Sequence, residues 1–445
     1  MHSGLARKFP ALVLGAVVVT GLWARATTSQ TVAQPAANTP AAAEKDLEVA
    51  AAKVREGKID EAMNLIKEKA GRHPEWPSPR FILARLLFNA NQAPAGRQTL
   101  ELAAIEAPDD PEVYLTLGGL SLGDGRASDA QLNFDRVLAL LNTGRSNAEK
   151  TKLLRREALN GLASVAEARA DWKTTQQQLN AWLELDPKNG RVRQRLGRAL
   201  FHLGKSEDAF TTLTQAVKDE PALDAPGITM AQLENQKGDA KKAEEWFHYA
   251  RRVEPKNARV RVVYGAWLVD QGRAADARSE VEEALKLDPS LQEAKRIQAL
   301  IAWHSRDLAA AEKILEPLHR DSPADYFVAN LLALTLIEQD DAAKQSRGMQ
   351  LAEVNALQFP RSTEVVATLG WALYRAGKLD QAEQKLHAAI TGGRTTPDIA
   401  YFLARVIADK GQTDTARKVL QDATSAKGSF AHRDDANALL KKLTK

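Results

Sequence analysis

The sequence predicts an all-α solenoid of about eleven helix hairpins. Prolines recur 34 residues apart at Pro187, Pro221, Pro255, Pro289 and Pro323, and Pro74 and Pro108 keep the same spacing. Small residues return at two fixed places in each period, and a bulky apolar residue follows the second of them by four positions. Self-similarity at such a period marks stacked units that cannot bury their apolar faces alone.

One unit shows the physics. From Gly190, the residues Val192, Leu196, Gly197, Leu200, Phe201 and Leu203 form an apolar stripe at helical spacing. Gly204-Lys205-Ser206 breaks it with the residue that most easily takes positive φ. Ala209, Phe210, Leu213, Ala216 and Val217 then form a second stripe, and Pro221 ends it where it can open the next unit. Each repeat is therefore expected to be a helix hairpin.

The register extends along the chain. The first-helix small residue is Ala50, Ala84, Gly118, Ala163, Gly197, Ala231, Gly265, Ala299, Gly370 and Ala404. Its second-helix counterpart is Ala62, Gly96, Ala130, Ala209, Ala243, Ala277, Ala311, Ala382 and Ala416. Facing small residues let helix backbones approach closely, so a larger side chain would overpack the contact. The bulky plug is Ile66, Leu100, Phe134, Leu179, Leu213, Phe247, Val281, Leu315, Leu386 and Leu420. These positions resemble the tetratricopeptide-repeat (TPR) consensus over about residues 43–428. The resemblance implies a right-handed α-solenoid of about eleven TPR hairpins over 44–429, closed by a C-terminal capping helix at 430–445. Three irregularities are expected. Residues 145–155 are an insertion, Thr175 replaces an alanine and is expected to loosen its repeat, and the ninth unit places the polar stretch Gln339–Arg347 at its turn.

At the N-terminus, Arg7 and Lys8 precede an apolar run from Phe9 to Trp23, followed by Ala24-Arg25-Ala26. Residues 1–26 read as a signal peptide, with an uncleaved membrane anchor as the alternative, since the run is short for a span of about 20 residues. Either reading exports the body, giving a periplasmic protein that is tethered to the inner membrane if residues 9–23 remain. Residues 27–43, rich in Ala, Pro, Thr and Gln, read as a flexible linker. Removing 1–26 takes Lys+Arg from 61 to 58 against 57 acids, so the mature charge would be near +1. That balance argues against a nucleic-acid partner, which needs a concentrated basic face. Cysteine is absent, which removes disulfides and thiolate chemistry.

Candidate chemistry is thin. Ala199–Ser206 comes within one residue of a phosphate-binding loop, but it ends a helix, and Gly204-Lys205-Ser206 is the repeat's own turn. The eight histidines show no metal-ligand spacing, and the acidic pairs sit at helix caps, where acids satisfy free N–H groups. No enzyme, cofactor or metal site is expected.

The TPR resemblance assigns a concave groove to Phe81, Arg85, Phe88 and Asn89, then to Arg191, Gln194, Arg198 and His202, and to Gln232 and Asn235. It continues through Arg259, Arg296, Trp303 and His304, and ends with Trp371, Tyr374, Arg375, Tyr401 and Arg405. Arginines offer planar donors and aromatics offer stacking faces, the makings of a recognition surface, although arginine is also an ordinary soluble helix former. The lysine–asparagine carboxylate clamp of some TPR proteins is missing, since Phe81 and Arg85, or Gln194 and Arg198, stand in its place. The expected function is a non-enzymatic scaffold of the bacterial envelope that binds an extended peptide or a partner protein. By fold and address the chain resembles exported scaffolds of envelope and exopolysaccharide systems. The alternative is binding of an acidic polysaccharide, with Trp371, Tyr374 and Tyr401 stacking on sugars.

Overall fold

The computed structural model describes residues 41–73, 76–142, 148–392 and 395–444, with side chains from 47 onward. The expected signal segment 1–26 and most of the expected linker lie outside the described residues. Among the described residues the chain is an α-solenoid of 23 helices without a strand, falling into two compact units at 41–243 and 244–444.

In the N-terminal unit, α1 (Ala41–Arg55) pairs with α2 (Ile59–Ala70), and α3 (Pro79–Asn89) with α4 (Ala93–Glu106). Next come α5 (Pro111–Gly123) with α6 (Ala127–Leu141), α7 (Ala148–Ala168) with α8 (Trp172–Leu185), and α9 (Gly190–His202) with α10 (Ser206–Asp219). Then follow α11 (Pro226–Lys237) and α12 (Ala240–Val253), which carries the boundary. In the C-terminal unit α13 (Ala258–Asp270) pairs with α14 (Ala274–Leu287), and α15 (Gln292–His304) with α16 (Leu308–Asp321). The remaining pairs are α17 (Tyr326–Ile337) with α18 (Ala342–Gln358), α19 (Thr363–Arg375) with α20 (Leu379–Gly392), and α21 (Pro397–Asp409) with α22 (Thr413–Ser425). The last helix is α23 (Arg433–Thr444), which packs on α22. The first helix of each hairpin is termed A and the second B.

Local chemistry sets the ends. Asp110, Asn189, Asn257 and Asp325 accept N–H groups at the starts of α5, α9, α13 and α17. The A-to-B turns need a left-handed residue, and positions 170, 204, 238, 272 and 306, each 34 apart, all have positive φ. Glycine fills the middle three, but Ala170 (φ 55°) and Arg306 (φ 59°) bear the strain of an L side chain there. Ala170→Gly should raise the midpoint of the N-terminal unit's thermal unfolding, by about 1 kcal/mol of relieved strain. An unchanged midpoint would mean the turn tolerates alanine.

The plug residues form the cores of both units, each 0–3 % exposed. The glycines under them are sterically required. A methyl on Gly197 would fall 2.7 Å from Leu213 Cγ, and one on Gly370 2.7 Å from Leu386 Cγ. Phe134 covers two glycines, Gly118 and Gly161, where a methyl would come within 2.6 and 2.3 Å of its ring.

Two of the expected irregularities prove to be helix. Residues 148–155 are the first turns of α7, where Leu154 joins Val137, Leu141 and Ala158 in one core. The insertion thus lengthens a helix, and α6 still packs on α7. In the ninth unit the turn is confined to 338–341 and Asp341 caps α18, so residues 342–347 are helical. Lys344 Nζ donates to Glu312 Oε2 at 2.7 Å and to Gln339 Oε1 at 2.8 Å, fixing the polar stretch. Thr175 does not loosen its repeat: it is fully buried, and its hydroxyl donates to Asp171 O at 2.9 Å. α1 begins at Ala41, inside the expected linker.

Candidate functional site

The A-helix face of the N-terminal unit carries the first half of the expected groove residues. Phe81 is buried with the Arg85 guanidinium 5.9 Å above its ring, Phe88 lies over Gly96, and Asn89 is exposed. On α9, Arg191 reaches away to Glu220 at 2.9 Å and Gln194 is half-buried. Arg195, which the sequence did not single out, ties α9 to α7 through Glu167 (2.9 Å), Asn160 (2.7 Å) and Ser164 (3.1 Å).

Arg198 differs from both. Among the described residues it has no hydrogen-bond or ion-pair partner, and burial pulls its pKa down against the more distant attraction of Asp224 and Glu167. A guanidinium stays charged at any physiological pH, so a half-buried cation with five donors is held here without a protein partner among the described residues. One turn on, His202 stacks on Trp172 at 4.1 Å, and burial together with the Arg198 charge holds its imidazole below the ordinary pKa. On α11, Gln232 Nε2 and Thr229 Oγ1 are buried without partners, while Asn235 is already engaged. Buried polar groups are normally satisfied, so this surface presents unused donors.

The C-terminal unit departs from expectation. Its expected arginines are already paired within the unit. Arg259 bonds Glu293 at 2.6 Å, Arg296 bonds Asp325, and Arg375 lies 3.6 Å from Asp340. Arg405 donates to the Tyr374 hydroxyl at 2.9 Å, and that hydroxyl donates to Asp409 at 2.7 Å. Nor are the aromatic faces open. Trp303, Trp371 and Tyr401 are 4–6 % exposed, and Trp371 is stacked between Phe402 (4.3 Å) and Tyr374 (4.8 Å).

The occupant is the chain's own segment 426–432. It leaves α22, and its backbone meets the Asp270–Gly272 turn so closely that methyls on Gly272 and Gly428 would fall 2.9 Å and 2.8 Å from the opposing carbonyl oxygens. His432 then enters a cage of rings: Tyr401 stacked at 5.1 Å, with Trp303, Trp371 and Phe402 edge-on. Its Nδ1 lies 2.6 Å from Asp398 Oδ1 and its Nε2 2.9 Å from Glu338 Oε1. The backbone N–H groups of Ala431 and His432 also donate to Asp398. Arg306, from its left-handed turn, bonds Glu338 as well. Burial would discharge the imidazole, but the hydrogen bonds to Asp398 and Glu338 outweigh it and push the pKa up to about 9. Asp398 is held below the ordinary carboxylate range by His432, despite its burial. The raised pKa favours the imidazolium at neutral pH, and Arg306 Nη1, 3.0 Å from Nε2, shares the Glu338 carboxylate with it.

Sequence reasoning missed His432, Asp398, Glu338 and Arg306. One signal was available: the series Gly204, Gly238, Gly272 is broken in register by Arg306, a bulky cation where the backbone wants glycine. Beside the segment lies a cavity of about 200 Å³, lined by Trp303, His304, Tyr326, Phe327, Asn330 and Phe402 and walled by Lys427–Ser429. His304 Nδ1 and Asn330 Oδ1 are buried there without partners. Burial holds the His304 pKa down, Asp398 opposing and His432 reinforcing that shift.

Repeated hairpins with charged, donor-rich and cage-like A-helix surfaces define a helical-repeat interaction scaffold. Models of the tetratricopeptide repeat match residues 53–120 in the first unit, and 268–325 and 368–431 in the second. These three segments thus carry tetratricopeptide repeats, a repeat class that binds other proteins and is generally non-enzymatic. No curated protein matches it in sequence. Among solved structures, a thermophilic TPR protein of Thermus thermophilus is 19 % identical with TM-score 0.36, over 42 % of this chain and 98 % of that one. Yeast Tom70 is 14 % identical with TM-score 0.37, over 90 % and 95 %. The APC/C heterotetramer Cut9–Hcn1 is 13 % identical with TM-score 0.43, over 90 % and 89 %. At these scores none of them transfers a partner to this chain.

Proposed function

We propose that the protein is an exported scaffold of the bacterial envelope that holds an extended segment of a partner protein on the A-helix face of its N-terminal unit. Arg198 is the anchor. The observation that carries this reading is a half-buried guanidinium without a partner among the described residues, together with the unused donors Gln232 Nε2 and Thr229 Oγ1 of α11. Such a surface favours a carboxylate from the partner, because a charge-assisted bidentate bond offsets the desolvation already incurred. Export rests on Arg7 and Lys8 ahead of the apolar run Phe9–Trp23. A polysaccharide partner is not favoured, since the rings it would stack on are covered.

The test is in-cell photo-crosslinking from position 194 of the full chain. Arg198→Ala should deplete the crosslinked protein at least tenfold, the loss of one charged hydrogen-bonding partner being worth about 1.5–3 kcal/mol. Arg191→Ala, which removes only an exposed pair with Glu220, should leave it unchanged. Equal adduct in both variants would overturn the anchor. Export is checked separately by fusing alkaline phosphatase after Lys445, which is active only outside the cytoplasm.

A further inference from the structure

We propose that the cage of the C-terminal unit is a second recognition site, for an extended protein segment that presents a cationic side chain, and that residues 426–432 occupy it as an internal copy of that ligand. The proposal concerns different residues from Arg198 and does not depend on it.

Segment 426–432 is held in the way a bound peptide is held. Two successive backbone N–H groups, from Ala431 and His432, are taken by one carboxylate, Asp398, at 3.2 and 3.0 Å. The side chain that follows is a cation between two carboxylates, 2.6 Å from Asp398 and 2.9 Å from Glu338, within four aromatic rings. Carboxylates at the floor of an aromatic cage select a positive charge over a neutral or negative one. The groups facing the imidazole are Asp398 from α21, Glu338 at the end of α17, Arg306 from the α15–α16 turn and the neutral His304 of α15. Counted with His432⁺ and Arg306⁺, the two carboxylates are balanced, so a ligand without a cation would leave net negative charge buried.

A plain structural plug would not need this. An apolar side chain would fill an aromatic cage at lower desolvation cost. Arg306 also holds a left-handed backbone where its sister repeats use Gly204, Gly238 and Gly272, and strain kept in this way marks a site at which the side chain matters. The adjoining cavity of about 200 Å³ continues the groove past Lys427–Ser429. It has room for one bulky apolar or aromatic side chain of a ligand, with His304 Nδ1 and Asn330 Oδ1 as its polar contacts. The favoured partner is therefore an extended segment with His, Lys or Arg beside a large apolar residue. Because α22 and α23 tether both ends of segment 426–432, its effective concentration is on the order of millimolar, and it competes with any weaker ligand.

The probe is a fluorescent peptide copying residues 425–433, Ser-Ala-Lys-Gly-Ser-Phe-Ala-His-Arg, titrated against the full-length chain at pH 6. Wild type should bind it weakly. His432→Ala, which empties the cage, should bind it at least tenfold more tightly. A peptide with alanine in place of its histidine should not bind, and adding Glu338→Gln to His432→Ala should cancel the gain. Should His432→Ala melt near the assay temperature, Gly428→Val serves instead. It evicts the segment by a clash with Asp270 O and leaves the cage intact. Equal affinity for wild type and the release variant, or affinity indifferent to Glu338 and to the peptide's histidine, would overturn the proposal and leave the segment a structural cap.

Discussion

Gly161→Val is expected to cost the N-terminal unit about 3 kcal/mol or more, lowering its melting temperature by several degrees. The cause is local. A Cβ at 161 would lie 2.3 Å from Phe134 Cζ, and Gly118 crowds the other side of the ring at 2.6 Å, so Phe134 has nowhere to retreat. Valine also loses rotamer freedom in a helix. Even Gly161→Ala, which gains about 1 kcal/mol in helix propensity, should be net destabilising. Shrinking the plug supplies the control: with Phe134→Leu in the background, Gly161→Ala should cost less than it does alone, a coupling of about 0.5–3 kcal/mol. Additive behaviour in that cycle, or a wild-type midpoint for Gly161→Val, would show that the ring does not sit where it is placed.

His432→Ala should destabilise the C-terminal unit by about 3 kcal/mol at pH 6, because it removes the imidazole that Asp398 and Glu338 share and leaves them only Arg306 and two backbone N–H groups. The pH dependence has a definite sign. The imidazole's pKa rises from 6.5 to about 9 on folding, so its contribution is complete below about pH 6.5 and lost as the pH climbs through about 9. The Asp398 carboxyl is depressed from 3.8, so its contribution is present above that value and fades as the pH falls through its lower folded value. The unit should be most stable between about pH 4 and 6.5. The measurement is thermal unfolding of wild type and His432→Ala from pH 6 to 10. Convergence of the two curves towards pH 10 is the expected result, and a constant gap would mean His432 packs as a neutral ring.

The hairpins were legible in the sequence because each repeat folds on neighbour contacts that share one register, and ten plug positions read from periodicity all lie in the core. The irregular segments were less so. Residues 148–155 read as an insertion because they break the period, yet helix propensity and Leu154 carry α7 through them. The same register placed Trp371 and Tyr401 on the A-helix face, but could not say what lies against them. His432 and Arg306 are 126 residues apart, and no periodic pattern encodes a contact made once. Arginine pairing was invisible for a related reason. Arg259 and Glu293, or Arg296 and Asp325, sit one repeat apart, and only stacking brings them together. Substituting these arginines breaks internal pairs, so Arg198, which has no such pair, is the cleaner probe of partner binding.

The return of segment 426–432 to the Asp270–Gly272 turn also changes how the C-terminal unit should unfold. A stack of repeats is nearly one-dimensional, and its ends can fray one hairpin at a time, because losing a terminal unit disturbs only the next. Here the last hairpin is clasped to the first of its own unit by Gly428, and to the middle by Arg306 and Glu338. Removing either end therefore breaks contacts at the other, which turns a chain of independent links into a ring that opens all at once. The closing contacts span the whole unit, so they form late in folding and carry the loop-closure entropy of five hairpins. In urea the C-terminal unit should show one steep transition, and Gly428→Val should broaden it towards the gradual loss expected of an unclasped stack.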